Sequence, residues 1–486
     1  MTSSLARLVF PSLRWRSREG YAHEQAKIDA ALAAGVGGFI VFGGTREGVT
    51  GLTRELRERA GRPLLVGADL ERGVAQQVSG LTELPPAAAL GYIDDLDATH
   101  AAGLITAGEA LAVGINWGFA PVCDLDLEPK NPIVGTRSFG ADPVRVGEHA
   151  AVWIRGAQEH GLLACAKHYP GHGRTTLDSH ETLPVVATPA AELEAMDGWP
   201  FEHAIRAGVG SVMTAFVAYP AWAPSGRAAA FSDEIIGYLR EALHFGGLVV
   251  TDALIMAGAT AERAEAAATV AAVAAGCDAL LYPSDFKAVV EALDRAVGAE
   301  LATARVDDAL GRYEQAVKAW DVGWRNVETL EPSLEGHAAC ADDLADRATR
   351  LIRGDPAAIR LRPPASVSIV DDDVGGPYTV GPRDVFTKTL RAAGLLDPSS
   401  RRTRPAGRRV VLVYSEPRSW KGRADLGPRS QASLRRLAPG AQLVVLFGHP
   451  RLAPQIPGRA PILCSWHGMP LMQRAAARWV GDNLAP

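Results

Sequence analysis

Through its first 325 residues the chain alternates short apolar runs with longer, alanine-rich stretches, and few folds accommodate that rhythm. The runs cover residues 8–10, 38–42, 64–68, 115–122, 162–167, 211–215, 248–252 and 279–282. Stretches of helical composition lie between them, such as 22–34, 101–112, 143–160 and 190–207. A buried strand followed by a helix, repeated eight times over this length, predicts an α/β domain built as a (β/α)8 TIM-like barrel. A doubly wound sheet is the alternative, but it seldom uses eight units.

A barrel of parallel strands collects its functional groups where the strands end. The polar residues meet that demand: Asp69 closes the third run, Asp124 and Asp126 the fourth, Lys167 and His168 the fifth, and Asp252 the seventh. Asp252 stands between two apolar runs, so it is either a functional carboxylate or a solvated group capping the next helix.

Chemistry is densest in residues 166–184, AKHYPGHGRTTLDSHETLP. Pro170, Gly171 and Gly173 rule out a helix there, so a strand ending at Lys167 leads into a polar loop. Asp178 and His180 are two apart, close enough for the carboxylate to take a hydrogen bond from the imidazole and raise its basicity, as a general acid/base requires. A metal site and a purely structural loop are the competing readings. His168, His172 and His180 show no HExxH or paired-cysteine spacing, and nothing apolar in the loop calls for so many ionisable groups.

The string Lys167-His168-Tyr169-Pro170-Gly171-His172-Gly173, then four residues, then Asp178-Ser179-His180, resembles the signature of glycoside hydrolase family 3, in its branch of bacterial exo-β-N-acetylglucosaminidases. The segment Thr251-Asp252-Ala253-Leu254-Ile255-Met256-Ala257-Gly258 is similar to that family's nucleophile segment. The resemblance implies Asp252 as the nucleophile, His180 as acid/base and Asp178 as its orienting partner. It also implies sugar-binding roles for Asp69 (in GADLERG), for Arg137 (in GTRSFG), and for Lys167 and His168; a structural salt bridge is the alternative role for each of these four. Departures follow Asp69: Arg72 takes a glycine position, and Val74 and Gln77 replace two arginines of the branch pattern. Phe216 stands where a histidine is common. These changes bear on which sugar is held.

The remaining chain predicts a connector, residues 326–364, with a helical piece at 338–353, and then a smaller α/β (αβα) sandwich domain, residues 365–486, with strands at 367–370, 410–414, 442–447 and 462–464. It resembles the second domain of two-domain family members. A net charge of -5 gives no reason to expect nucleic acid or an anionic membrane surface. The arginines at 401, 402, 404, 408 and 409 lack interleaved aromatics and read as a solvated loop. Five cysteines without CxxC pairing read as reduced core residues, no apolar run is long enough to span a bilayer, and the first residues are not of usual signal-peptide design, which points to the cytoplasm. No metal is expected, and no glycine pattern implies a nucleotide cofactor.

The combined expectation is a retaining exo-glycosidase that removes terminal β-linked N-acetylglucosamine, for example from cell-wall fragments, through a covalent glycosyl-aspartate. Phosphorolysis by the same machinery, β-glucosidase or β-xylosidase specificity, and a non-enzymatic sugar-binding protein are the alternatives. The small carbohydrate is the only partner the residues imply.

Overall fold

The computed structural model describes residues 3–260, 263–321, 331–359, 366–376, 380–396 and 409–484. The chain divides into two compact units, and neither is continuous in sequence. The first holds Met1–Thr82, Asp95–Glu128 and Gly140–His337; the second holds Glu83–Asp94, Pro129–Phe139 and Ala338–Pro486. The contiguous boundaries expected from sequence do not separate the two short segments, 83–94 and 129–139, that cluster with the C-terminal part.

The strands of the first unit are β1 (Val9–Phe10), β2 (Ser12–Arg14), β3 (Gly38–Phe42), β4 (Leu65–Ala68), β5 (Trp117–Gly118), β6 (Leu163–Tyr169), β7 (Ser211–Thr214), β8 (Leu248–Thr251) and β9 (Leu280–Leu281). Strands β2 to β8 form a seven-stranded sheet in chain order, parallel throughout. Strand β1 pairs in parallel with β9. A bridge between Val250 and Ala279 links β8 to the approach to β9. Only Pro11 separates β1 from β2; it has no N–H for the ladder, though its carbonyl accepts the Ile40 N–H at 3.0 Å. The result is a curled, TIM-like parallel sheet with helices such as Gln25–Ala34, Arg46–Ala60, Leu96–Ala112 and Pro143–Glu159 in the connections.

Strand and helix ends follow local chemistry. Thr45, Asp95, Asp142, Ser232 and Asp285 each cap a helix by accepting a main-chain N–H. The run expected as a strand over 115–122 is regular only at Trp117–Gly118, because Pro121 interrupts the ladder. Trp117 is fully buried between Phe10 and Phe119, at centroid distances of 5.3 and 5.0 Å.

In the second unit, β10 (Arg350–Arg353), β11 (Ser366–Asp371), β12 (Arg409–Ser415), β13 (Ala441–Gly448) and β14 (Ile462–Cys464) form one sheet in the order β10-β14-β13-β12-β11. All pairings are parallel except that of β10 with β14. Alternate residues serve opposite faces. Val410, Leu412, Tyr414, Leu443, Val445 and Phe447 pack against Phe386, Leu390 and Ala476, whereas Val411, Val413, Val444 and Leu446 pack against Leu434 and Leu452. The sheet is therefore covered on both faces. The stretch 338–353 is not one helix: the helix Glu331–Ala348 stops, and Arg350–Arg353 becomes the antiparallel edge strand. Of the arginine cluster, residues 401–408 lie outside the described residues, and Arg409 begins β12.

Cys123, Cys165, Cys277 and Cys464 are buried free thiols and Cys340 is a half-buried one. Among the described residues no helix is long and apolar enough to cross a membrane.

Candidate active site

The ends of β4, β6 and β8 and the loop after β6 gather the ionisable groups of the first unit. Successive residues of a strand face opposite ways, so Lys167 and His168 cannot both address one site from a regular strand. A bulge resolves this. Lys167 pairs with Met213 and Tyr169 with Thr214, which leaves His168 as the extra residue. Both side chains then reach carboxylates at the C-terminal end of the sheet.

Lys167 is almost wholly buried, and its Nζ lies 2.8 Å from Asp69 Oδ1 and 2.8 Å from Glu71 Oε1. Two carboxylates neutralise one ammonium and fix Asp69, which keeps part of its surface open. Glu71 is a site residue the sequence reading did not single out, although its spacing of two from Asp69 is the spacing of residues that share a face.

His168 Nδ1 is 2.7 Å from Asp124 Oδ2, and Asp124 Oδ1 accepts the main-chain N–H groups of His168 at 3.1 Å and His172 at 2.7 Å. Burial alone would raise the Asp124 carboxyl, but the adjacent His168 and His172 hold it below the usual carboxylate value. With Nδ1 directed to Asp124, His168 presents Nε2 to Asp252, 4.0 Å from Oδ2. Asp124 was legible only as a strand-end acid; its link to a histidine 44 residues away leaves no trace in local spacing.

Asp252 follows β8, is partly open, and accepts the Ala253 N–H at 2.7 Å. Burial pushes its carboxyl up; His168, His180, the Ala253 N–H and Lys167 outweigh this and hold it below its ordinary value. The group is thus kept as a carboxylate with an accessible face.

His180 Nδ1 lies 2.7 Å from Asp178 Oδ1, which also accepts the His180 main-chain N–H at 2.8 Å. Asp178 is buried while the imidazole is 43% exposed, so the carboxylate is fixed and the ring it orients lies partly open to solvent. The loop itself is pinned along its length. Near its start, Glu128 N–H donates to Gly173 O at 3.1 Å, and a side chain at Gly173 would collide with Leu125 O, 1.7 Å from its Cβ position. In the middle, His172 bonds Thr175 and Ser179, both at 2.9 Å, and burial brings its own basicity down to about 4. Farther on, the Gly258 N–H donates to Ser179 O at 2.9 Å and the Ala257 N–H to His180 O at 3.4 Å. The end bonds to Ala218 through the Pro184 carbonyl, at 2.9 Å.

The loop residue Arg174 is fastened to Asp197 at 2.7 Å and to Glu192 at 2.8 Å. Of the departures noted in sequence, Val74 and Phe216 are fully buried core residues, and Gln77 Oε1 accepts the Gly43 N–H at 3.1 Å. Neither Val74 nor Phe216 offers a polar contact to a sugar.

Asp69, Lys167, His168, Asp178, His180 and Asp252 therefore all belong to the first unit, and hydrogen bonds or close charges join them. Arg137 belongs to the second unit, where its Nη1 donates to Ile133 O at 3.2 Å. Among the described residues, no group of three or more His, Cys, Asp or Glu side chains is arranged to hold a metal. What the first unit assembles is an ionised carboxylate, an imidazole oriented by a second carboxylate, and a buried lysine that fixes a third.

The glycosyl hydrolase family 3 N terminal domain matches residues 6–315. A β-N-acetylglucosaminidase/β-glucosidase of Cellulomonas fimi is 30% identical over 383 residues, spanning 74% of this chain and 68% of that protein. A β-hexosaminidase of Chromobacterium violaceum is 36% identical over 285 residues, 56% of this chain and 78% of its own. Among solved structures, a glycoside hydrolase family 3 β-N-acetylglucosaminidase from Paenibacillus sp. str. FPU-7 superposes with a TM-score of 0.86 at 26% identity, covering 100% of this chain and 97% of that one. On the matched domain and the residues it brings together, the chain belongs to glycosyl hydrolase family 3 and is a glycoside hydrolase.

Proposed function

We propose that the protein is a retaining, exo-acting β-N-acetylglucosaminidase. The observation that carries this reading is the Asp178–His180 pair, in a loop whose Ser179 and His180 carbonyls are bonded to the main chain at 257 and 258, a few residues beyond Asp252. A nucleophile and an oriented acid/base are thereby tied to one another through short segments of backbone. Asp252 attacks the anomeric carbon, and the glycosidic C–O bond breaks as His180 gives its proton to the departing oxygen. Water, deprotonated by the now neutral His180, then displaces Asp252 and retains configuration. Asp69, held by Lys167, receives hydrogen bonds from sugar hydroxyls, with His168 beside it. Arg137 is a further substrate contact by resemblance to the family's RSFG segment.

The N-acetyl preference draws support from the β-hexosaminidase and β-N-acetylglucosaminidase relatives. A β-glucosidase activity is a second reading, favoured by the Cellulomonas fimi relative, whose name includes both. The test is hydrolysis of p-nitrophenyl N-acetyl-β-glucosaminide, β-glucoside and β-xyloside by the wild type and by Asp252→Ala, with and without phosphate. The reading expects a preference for the N-acetyl sugar, release of the free β-anomer, and loss of activity in the variant by about 10⁴-fold or more. Equal activity in Asp252→Ala would remove the nucleophile assignment, and a sugar 1-phosphate product would make the enzyme a phosphorylase.

A further inference from the structure

Strand β2 ends in Arg14, which is half-buried and paired in register with Phe42, the last residue of β3. The guanidinium carbon lies 4.5 Å from the Phe42 ring centre and 5.1 Å from that of Tyr282, the residue after β9. Nε donates to the Tyr282 hydroxyl at 2.8 Å, and Nη2 contacts the same oxygen. No carboxylate pairs with this guanidinium among the described residues. The nearest acid through the chain, Glu24, accepts the Arg14 main-chain N–H at 3.0 Å, but its charge is met by Lys27 Nζ at 2.7 Å, with His23 Nε2 at 3.6 Å. Lys167, at the same end of the sheet, carries two carboxylate partners.

Placement adds to this. Passing from strand to strand, the C-terminal ends read Asp252, Tyr282, Arg14, Phe42 and Asp69, so Arg14 lies midway between the carboxylate after β8 and the one after β4. Tyr282 holds a left-handed backbone, φ 53°, which a bulky side chain adopts only at a cost. That conformation sets its hydroxyl and ring against Arg14. A partly desolvated cation with no counter-charge, braced on two aromatic faces, is completed by an anion, and a guanidinium suits a planar or tetrahedral oxyanion through its paired donors.

We propose that Arg14, with Phe42 and Tyr282, forms an oxyanion subsite on the rim beside the reacting sugar, for a carboxylate or phosphate group. The proposal rests on the glycosidase reading for its place in catalysis. The anion has two possible sources, a charged substituent on the leaving group or free phosphate serving as acceptor.

Binding of inorganic phosphate is measured by calorimetry on the wild type, Arg14→Gln and Arg14→Lys, a test that needs no turnover. The expectation is at least a tenfold weaker affinity in Arg14→Gln and an intermediate value in Arg14→Lys, which keeps the charge but not the paired donors. In a kinetic arm, kcat/KM is compared for the 4-carboxyphenyl N-acetyl-β-glucosaminide and its neutral methyl ester, and for the ester with added phosphate. A carboxylate-to-ester ratio that falls tenfold in Arg14→Gln assigns the subsite to the leaving group. A phosphate-dependent rate lost in Arg14→Gln assigns it to the acceptor. Phosphate affinity within twofold across all three proteins, or kinetic ratios all unchanged, overturns the subsite. Failure of the wild type to hydrolyse either glycoside would sink the glycosidase reading alone, since the binding arm stands apart from it.

Discussion

Replacing Asp124 by asparagine removes a charge while keeping the outline of the group. In the wild type the buried carboxylate accepts hydrogen bonds from the main-chain N–H groups of His168 and His172 and from His168 Nδ1. The asparagine oxygen can still accept both main-chain donors, but its amide nitrogen then faces the Nδ1 proton. Two donors cannot bond, so the ring must give up that proton or lose the contact. A hydrogen bond to a charged acceptor contributes about 1.5–3 kcal/mol. At about 1 °C per kcal/mol for a chain of this size, Tm should fall by about 1.5–3 °C. His168 Nε2 is 4.0 Å from Asp252 Oδ2, so a changed tautomer alters the hydrogen at that contact, and kcat should fall by about 10–100-fold with a smaller change in KM. Calorimetry and p-nitrophenyl glycoside kinetics read the two effects. There is also a pH signature. Because the native Asp124 value lies below 3.8, its stabilisation is complete above about pH 4–5 and disappears as pH falls through the lower native value, and the variant lacks this acid-dependent loss. If Asp124→Asn kept both kcat and Tm, Asp124 would have no part in orienting His168.

Asp178→Asn should lower kcat by about 100-fold with KM little changed, and alter the limb of the pH–rate profile that reports the acid/base; a change in KM alone would contradict the dyad. Arg174→Ala should loosen the loop, lowering kcat by about tenfold, and should leave Asp197 without its partner. Burial already pushes the Asp197 carboxyl up to about 6 against the pull of Arg174, and the variant raises it further. A native value above the unfolded one makes stability greatest below about pH 4 and lost as pH rises through the native value, so melting curves should show Arg174→Ala weakest, relative to wild type, above pH 7. In the second unit, Lys421 is nearly wholly buried and serves Asp373 at 2.8 Å and Asp372 at 3.3 Å. Lys421→Met takes one cation from each carboxylate, but Asp373 retains Arg383 at 2.8 Å and Asp372 retains Arg423 at 2.7 Å; the change should therefore cost about 3 kcal/mol of that unit's stability, the lower end for breaking a buried pair, measurable by denaturant unfolding.

Much of this was legible because barrel strands are short and their ends are polar. Asp69, Lys167, His168 and Asp252 each follow an apolar run, and the Pro-Gly pattern at 170–173 marks the loop that carries Asp178 and His180. What escaped depends on contacts distant in sequence. The bulge at His168 has no residue signature, since neither Lys167 nor Tyr169 differs from ordinary strand residues. Asp124 gains its role only from the pairing of β5 with β6, and Arg14 from strands whose partners lie up to 268 residues away. Pro11 and Pro121 mark breaks in the strands that are visible in the sequence itself, since a residue without an N–H interrupts a ladder. The helix expected over 338–353 failed at its last turn, where an edge strand met the sheet and tertiary pairing overrode local propensity.

The bond from Gly258 N–H to Ser179 O has a consequence for how the enzyme could be tuned. A Cβ at position 258 would stand 2.9 Å from that oxygen and 3.0 Å from Phe216 Cβ, so glycine lets the two backbones touch. Position 258 therefore works as a spacer gauge. Alanine or serine there would widen the gap between the histidine-bearing loop and the segment behind Asp252 while altering neither the His180 nor the Asp252 side chain. On the roles proposed for His180 and Asp252, graded substitutions at one buried glycine would vary the distance between the two groups as a mechanical quantity, separate from the chemistry of either.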